Sequence, residues 1–221
     1  MKQEFDAVLF DCDGVLVDSE AITNRVLCGM LNEAGWALSG EECMRLFIGK
    51  MVRSQQALIE AETGRPLTDA WMATFYERRN AALEREVAAI DGALSSVRQL
   101  SERLQGRIAC ASGADRAKVE MQLRLTGLLP YFEGRIFSGH ELPRTKPHPD
   151  VYLAAAAALD VDPARCLVIE DSVTGTTAGV AAGATVWAYH PPVNAASSAE
   201  ALQAAGAVRL FPHMELLGKW L

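Results

Sequence analysis

The sequence predicts an α/β protein: a Rossmann-like parallel sheet core carrying an inserted block of α-helices. Two observations predict it. From residue 91 onward, short and nearly continuous apolar runs alternate with helical patterns, as expected for strands of a parallel sheet covered on both faces. Between the first apolar run, FDAVLFD at 5–11, and that region, only helical periodicity occurs. The core is therefore expected at 1–17 and 91–221, and the helical insertion at 18–90.

FDAVLFD is short, apolar and ends on acids, which suits a buried strand reaching a sheet edge. AITNRVLCGMLNEAG places Ile22, Val26, Leu27, Met30 and Leu31 at helical spacing and stops at Gly35. EECMRLF, SQQALIEAETG and DAWMATFYERRNAALEREVAAI extend the helical block. Then ALSSVRQLSERL reads as helix, RIACAS as strand, and DRAKVEMQLRLTG as a helix closed by Gly127. GRIFSG is a strand, HPDVYLAAAAALD a helix, RCLVIED a strand, SVTGTTAGVAAG a helix and ATVWAY a strand. The Ala-rich VNAASSAEALQAAGA reads as a further helix. Gly175, Gly179 and Gly183 form a small-residue stripe, read as close packing of helix on sheet; the pattern is neither a dinucleotide fingerprint nor a P-loop.

Bulk properties narrow the function. Half of the 221 residues are hydrophobic, enough for a proper core. A net charge of −7 argues against broad binding to nucleic acid or an anionic membrane, which needs a basic face. A small anionic substrate is compatible, because a local site can be positive on an acidic protein. No targeting segment or membrane span is read, and the expectation is a cytoplasmic monomer. Five scattered cysteines without CxxC spacing suggest reduced, buried thiols. His140, His148, His190 and His213 show no ligand spacing.

In an open parallel sheet, ligands bind beyond the carboxyl ends of the strands. Asp11 and Asp13 follow the first strand, Ser112 and Gly113 the second, Lys146 comes one short loop after the third, and Glu170 and Asp171 follow the fourth. Four carboxylates on one rim need a cation, and oxygen ligands without histidine or thiolate point to Mg²⁺. Calcium in an EF-hand loop fails in detail: glycine comes one step after the second acid, and the twelfth position from Asp11 is Ile22 rather than Glu. Each motif also has a plainer reading. Lys146 alone would be a surface lysine, Glu170-Asp171 a helix-dipole pair, and Ser112 a helix cap. Asp18 and Asp91 are read as solvated turn residues.

DCDGVLVDS, CASG, TKPHPD and VIEDS, in that order, resemble the four motifs of the haloacid dehalogenase-like hydrolase superfamily. The helical block resembles the cap of the subgroup that includes β-phosphoglucomutase and phosphoglycolate phosphatase. FDCDGVLVDSEAI, FSGHELPRTKPHPD and DSVTGTTAGVAAGA are similar to the 6-phosphogluconate phosphatase type. The resemblance implies a Mg²⁺-dependent phosphatase of a small phosphorylated metabolite, working through an aspartyl-phosphate. It implies Asp11 as nucleophile, Asp13 as acid and base, and Lys146 as catalytic and phosphate-binding. Ser112 and Gly113 would hold phosphate, and Asp11, Asp13 (through its carbonyl), Glu170 and Asp171 would hold the metal. In the cap, FIGKMVRS offers Lys50 and Arg53 to an anionic substrate, with Gly49 permitting a tight turn; two solvated basic residues are the plainer alternative.

Three rival functions follow. A β-phosphoglucomutase-like sugar phosphomutase is weakened by Thr23, which stands about where such a mutase carries a cap histidine. A dehalogenase leaves Asp13 and the metal acids without a task. A catalytically inactive phosphometabolite-binding module would tolerate loss of Asp11 or Asp13, and both are present.

Overall fold

The run AVLF forms β1 (Ala7–Phe10), and all four residues are buried. A strand this buried must pair the backbone groups of both its edges. β1 pairs in parallel with β4 (Ile108–Ser112) through Phe10↔Cys110 and with β6 (Cys166–Glu170) through Phe10↔Ile169. β5 (Ile136–Ser138) extends the sheet beyond β4. β7 (Thr185–Tyr189) and β8 (Arg209–Phe211) extend it beyond β6. The six-stranded order is β5-β4-β1-β6-β7-β8, so β1 is central and the chain winds outward in both directions from it. A two-stranded antiparallel ribbon, β2 (Val17–Asp18) with β3 (Ala88–Ala89), ties the chain where the insertion leaves and returns. This computed structural model describes residues 5–47, 50–193 and 195–221.

The chain divides into two units, Met1–Asp18 with Ala88–Leu221, and Ser19–Val87. In the first, helices α5 (Ala93–Arg103), α6 (Arg116–Leu125), α7 (Leu129–Phe132), α8 (Asp150–Ala158), α9 (Val173–Ala181), α10 (Ala199–Ala204) and α11 (Leu216–Trp220) connect or follow the strands. Tyr152, Ala155 and Ala156 of α8 and Ala178 of α9 pack on Leu9, Ala109 and Val168 of the sheet. The second unit is helical: α1 (Glu20–Glu33), α2 (Gly40–Phe47), α3 (Gln56–Thr63) and α4 (Asp69–Glu86). Leu27, Leu31, Phe47, Ile59, Met72 and Phe75 form its own core. A reciprocal capping box starts α2, with the Glu42 amide donating to Ser39 Oγ at 3.2 Å and the Ser39 amide to Glu42 Oε2 at 2.9 Å. No helix among the described residues is long and apolar enough to cross a membrane. All five cysteines are buried and free.

The α/β class with an inserted helical block is as the sequence predicts. Four local readings differ. VAAI, read as the end of a helix, leaves α4 after Glu86, because Val87 turns to extended backbone and leads into β3. The Ala-rich tail is helical only over Ala199–Ala204, because Ser198 starts a new helix by accepting from the Ala201 amide. β8 has no counterpart in the sequence pattern, because RLF is too short to show a period. The glycine stripe serves three purposes rather than one. Gly179 is the packing glycine: a Cβ there would lie 2.8 Å from Val186 and 3.1 Å from Val168. Gly183 ends α9 with φ +85°, and Gly175 belongs to the site below.

Two glycines test this packing. Gly179→Ala should destabilise by about 1–3 kcal/mol through overpacking, although alanine favours helix. Gly29→Ala, in α1 with nothing within 4 Å of the new methyl, should stabilise by about 0.5–1 kcal/mol. Urea denaturation of the two variants checks the opposite signs.

Candidate active site

The Asp11 amide donates to the Ile169 carbonyl at 3.0 Å, so Asp11 continues the sheet one residue beyond β1. The chain then turns tightly: the Leu16 and Val17 amides return to the Cys12 carbonyl, and the Gly14 amide donates to Val17 O at 2.9 Å. Gly14 has φ +76°, and a Cβ on it would sit 2.1 Å from Asp171 Oδ2. The glycine after the second acid is thus required twice, by the turn and by the approach of Asp171.

Lys146 reaches into this rim from the loop before α8. Its Nζ lies 2.7 Å from Asp11 Oδ1 and 2.7 Å from Glu170 Oε1, and only 8% of the side chain is exposed. The ammonium also sits over the Tyr152 ring, 4.8 Å from its centroid. Glu170, at the end of β6, is wholly buried. Its Oε1 accepts from Lys146 and from Tyr152 OH at 2.8 Å. Its Oε2 accepts from the Asp171 amide, the Ser172 amide and Ser172 Oγ at 3.0, 3.1 and 2.9 Å. Ser172 in turn caps α9 by accepting from the Gly175 amide at 3.0 Å. A Cβ at Gly175 would fall 1.6 Å from Glu170 Oε1, so this glycine makes room for the carboxylate.

Burial pushes the Asp11 carboxyl up to about 7; the Lys146 charge opposes this, and Glu170 and Asp13 add to it. Burial would likewise raise Glu170, but Lys146, Tyr152 and the Ser172 amide outweigh it and hold that carboxyl below its usual range. Burial disfavours the Lys146 ammonium, yet Asp11 and Glu170 hold its pKa well above the ordinary lysine value.

Asp11, Glu170 and Asp171 each offer an oxygen within 4.8 Å of the others, and all three are buried. Three buried carboxylates against one lysine are short of positive charge, and the donors are all hard oxygens. That set fits Mg²⁺ in charge and in ligand type. Asp13 lies beside it, half-buried, with Lys118 Nζ at 2.7 Å and Gln122 Nε2 at 3.0 Å from its Oδ1.

Ser112 ends β4 and is buried; its Oγ accepts from the Ala114 amide at 3.1 Å, closing a local turn. The cap of α6 is Asp115 instead, whose side chain accepts from the Lys118 amide. Gly113 follows Ser112, with Thr145 Oγ1 3.8 Å from where its Cβ would lie. Lys50 and Arg53 belong to the helical unit. Lys50 Nζ donates to Leu46 O at 2.9 Å, and Arg53 pairs with Asp69 at 2.6 Å. Gly49 lies outside the described residues. Asp18 and Asp91 are exposed, as read, but Asp18 pairs with Ala88 in β2 and only Asp91 stands in a turn. Sequence reasoning missed Lys118, Gln122 and Tyr152. The first two carried a usable signal, polar residues four apart on one helix leading from a strand end; Tyr152 carried none.

The haloacid dehalogenase-like hydrolase family matches residues 5–183. The chain belongs to that family. It is 32% identical over 185 residues to 6-phosphogluconate phosphatase of Escherichia coli K12, covering 83% of this chain and 82% of that one. A solved haloacid dehalogenase family hydrolase from Deinococcus radiodurans R1, with bound phosphate and sodium, is 36% identical, with a TM-score of 0.80 over 99% of this chain and 98% of the other. CbbY from Rhodobacter sphaeroides in complex with phosphate is 25% identical, with a TM-score of 0.78 over 97% and 96%.

The raised Asp11 carboxyl makes a prediction. Native Asp11 keeps its proton to about pH 7, whereas the unfolded chain releases it near the ordinary value. The native state therefore binds more protons between these limits, and this group's contribution to stability falls as pH rises from about 4 to 7. Asp11→Asn should remove that component. Thermal melts of the metal-free proteins should show the variant gaining on the wild type across that window and keeping its advantage above it.

Proposed function

We propose that this phosphoric monoester hydrolase cleaves a small sugar phosphate or sugar-acid phosphate through an aspartyl-phosphate on Asp11. One observation carries the reading: Lys146 bridges Asp11 and Glu170 at 2.7 Å each, beside Asp171, in one buried oxygen-lined cluster. With a bound cation offsetting the burial that raises its pKa, Asp11 would be a carboxylate and need no base to become a nucleophile, but it must approach an anionic phosphoryl group. Lys146 is placed to offset that repulsion and the charge in transfer.

The proposed metal-binding groups are the carboxylates of Asp11 and Asp171, with Glu170 beside them, and the carbonyl of Asp13. Bound Mg²⁺ would supply charge neutralisation at the phosphoryl oxygens. Asp11 attacks phosphorus, Asp13 gives a proton to the departing alkoxide, and Asp13 then takes one from the water that releases phosphate. Ser112 Oγ and the Gly113 amide are the proposed phosphate contacts. The finer substrate assignment rests on likeness to the E. coli enzyme, which makes 6-phosphogluconate the first compound to test.

A panel of phosphorylated metabolites assayed with Mg²⁺ tests the proposal. Free phosphate should appear, should vanish with a chelator and should return with Mg²⁺. Asp11→Asn should abolish turnover, and Asp13→Asn should slow it by about 10²–10⁴-fold. Wild-type-like turnover by Asp11→Asn would contradict the mechanism. An isomerised sugar phosphate in place of free phosphate would favour the mutase reading.

A further inference from the structure

Asp13 has partners that the proposed mechanism does not yet use. Lys118 and Gln122 lie one turn apart on α6 and both donate to the same oxygen, Asp13 Oδ1. The Lys118 side chain is 7% exposed and that of Asp13 18%. Gln122 is fully buried. Its Oε1 faces the Cys12 thiol at 3.9 Å and its Nε2 faces the carboxylate. The backbone beneath is fixed as well, because Asp115 accepts from the Lys118 amide at 2.9 Å.

A buried ion pair is a poor device for stability alone, since its desolvation penalty offsets much of its attraction and an apolar pair of similar volume does as well. Lys118 does not duplicate Lys146. Lys146 contacts Asp11 and Glu170, and Lys118 contacts Asp13. Each of the two aspartates has its own buried lysine.

We infer that Lys118, supported by Gln122, is the positioning residue of Asp13 in the leaving-group step. The inference rests on the reading of Asp13 as the acid. In that step Asp11 forms a bond to phosphorus while the bond from phosphorus to the ester oxygen breaks. The Asp13 proton passes to that oxygen, and Asp13 is left as a carboxylate against the Lys118 ammonium. A preorganised cation beside the newly formed anion lowers the cost of giving up the proton. Two donors on one oxygen fix the orientation of the carboxyl group. Water then attacks phosphorus and returns a proton to Asp13 as the bond to Asp11 breaks, which closes the cycle.

This role depends on the leaving group. A sugar alkoxide needs the proton, whereas 4-nitrophenolate departs without it. The constant kcat/KM reports steps through phosphoryl transfer, so slow release of phosphate from Asp11 does not mask the effect. The test measures kcat/KM of wild type, Lys118→Met and Gln122→Met on 4-nitrophenyl phosphate and on 6-phosphogluconate, or the sugar phosphate that the metabolite panel selects. Hydrolysis of both esters by the wild type tests the proposed function itself. Lys118→Met should lose on the order of 10²-fold on the sugar phosphate, at least about ten times more than on the aryl ester. Gln122→Met should shift the ratio in the same direction by less, and it carries the test if Lys118→Met does not fold. The Mg²⁺ concentration for half-maximal rate should stay within about threefold of wild type. Equal losses on both esters would overturn the inference and place Lys118 in the fold or in phosphate binding. So would unchanged ratios in both variants, or a loss recovered by raising Mg²⁺.

Discussion

The buried contact between Lys146 and Glu170 is the constraint on which the rest of the site depends. An ammonium and a carboxylate taken out of water persist only where each is fully engaged. Glu170 meets that condition with five donors from four residues: Lys146, Tyr152, Asp171 and Ser172. Lys146 meets it with two carboxylates and an aromatic face. Because Glu170 is anchored at the end of β6 and against the start of α9, the lysine has little choice of position. Asp11, one residue past the neighbouring strand, then meets that cation at 2.7 Å.

The same constraint explains small residues that look incidental. Gly175 is where α9 would otherwise strike the Glu170 carboxylate, and Gly14 is where the turn after β1 would strike Asp171. Both glycines let acids crowd together more closely than side chains would allow. The crowding has an electrostatic consequence: Asp11 is pushed toward neutrality by burial, and a bound cation is the natural relief. A site of this kind gives up stability in its metal-free form for a close grouping of buried acids.

Much of this was legible in the sequence, for identifiable reasons. Strands buried on both faces leave continuous apolar runs, so β1, β4, β6 and β7 were readable, and Asp11, Ser112 and Glu170 stand at or just past their ends as a parallel sheet requires. β8 was not legible, because three residues carry no period. Tyr152 was hidden because a tyrosine in an apolar helix looks like core, and only the fold aims its hydroxyl at Glu170. Lys118 and Gln122 looked like an ordinary polar helix face, and only the docking of α6 turns that face onto Asp13. Lys50 and Arg53 stand out by their charge, and charge alone does not say that one bonds the Leu46 carbonyl in α2 and the other an exposed aspartate.

The central claim is that Asp11 takes the phosphoryl group. Acid quench of the enzyme during turnover, followed by mass spectrometry of its peptides, tests this most directly. The account predicts a phosphoryl group on Asp11 during turnover and none in Asp11→Asn. Steady turnover with no phosphoryl group on the protein, or with one on another residue, would contradict it.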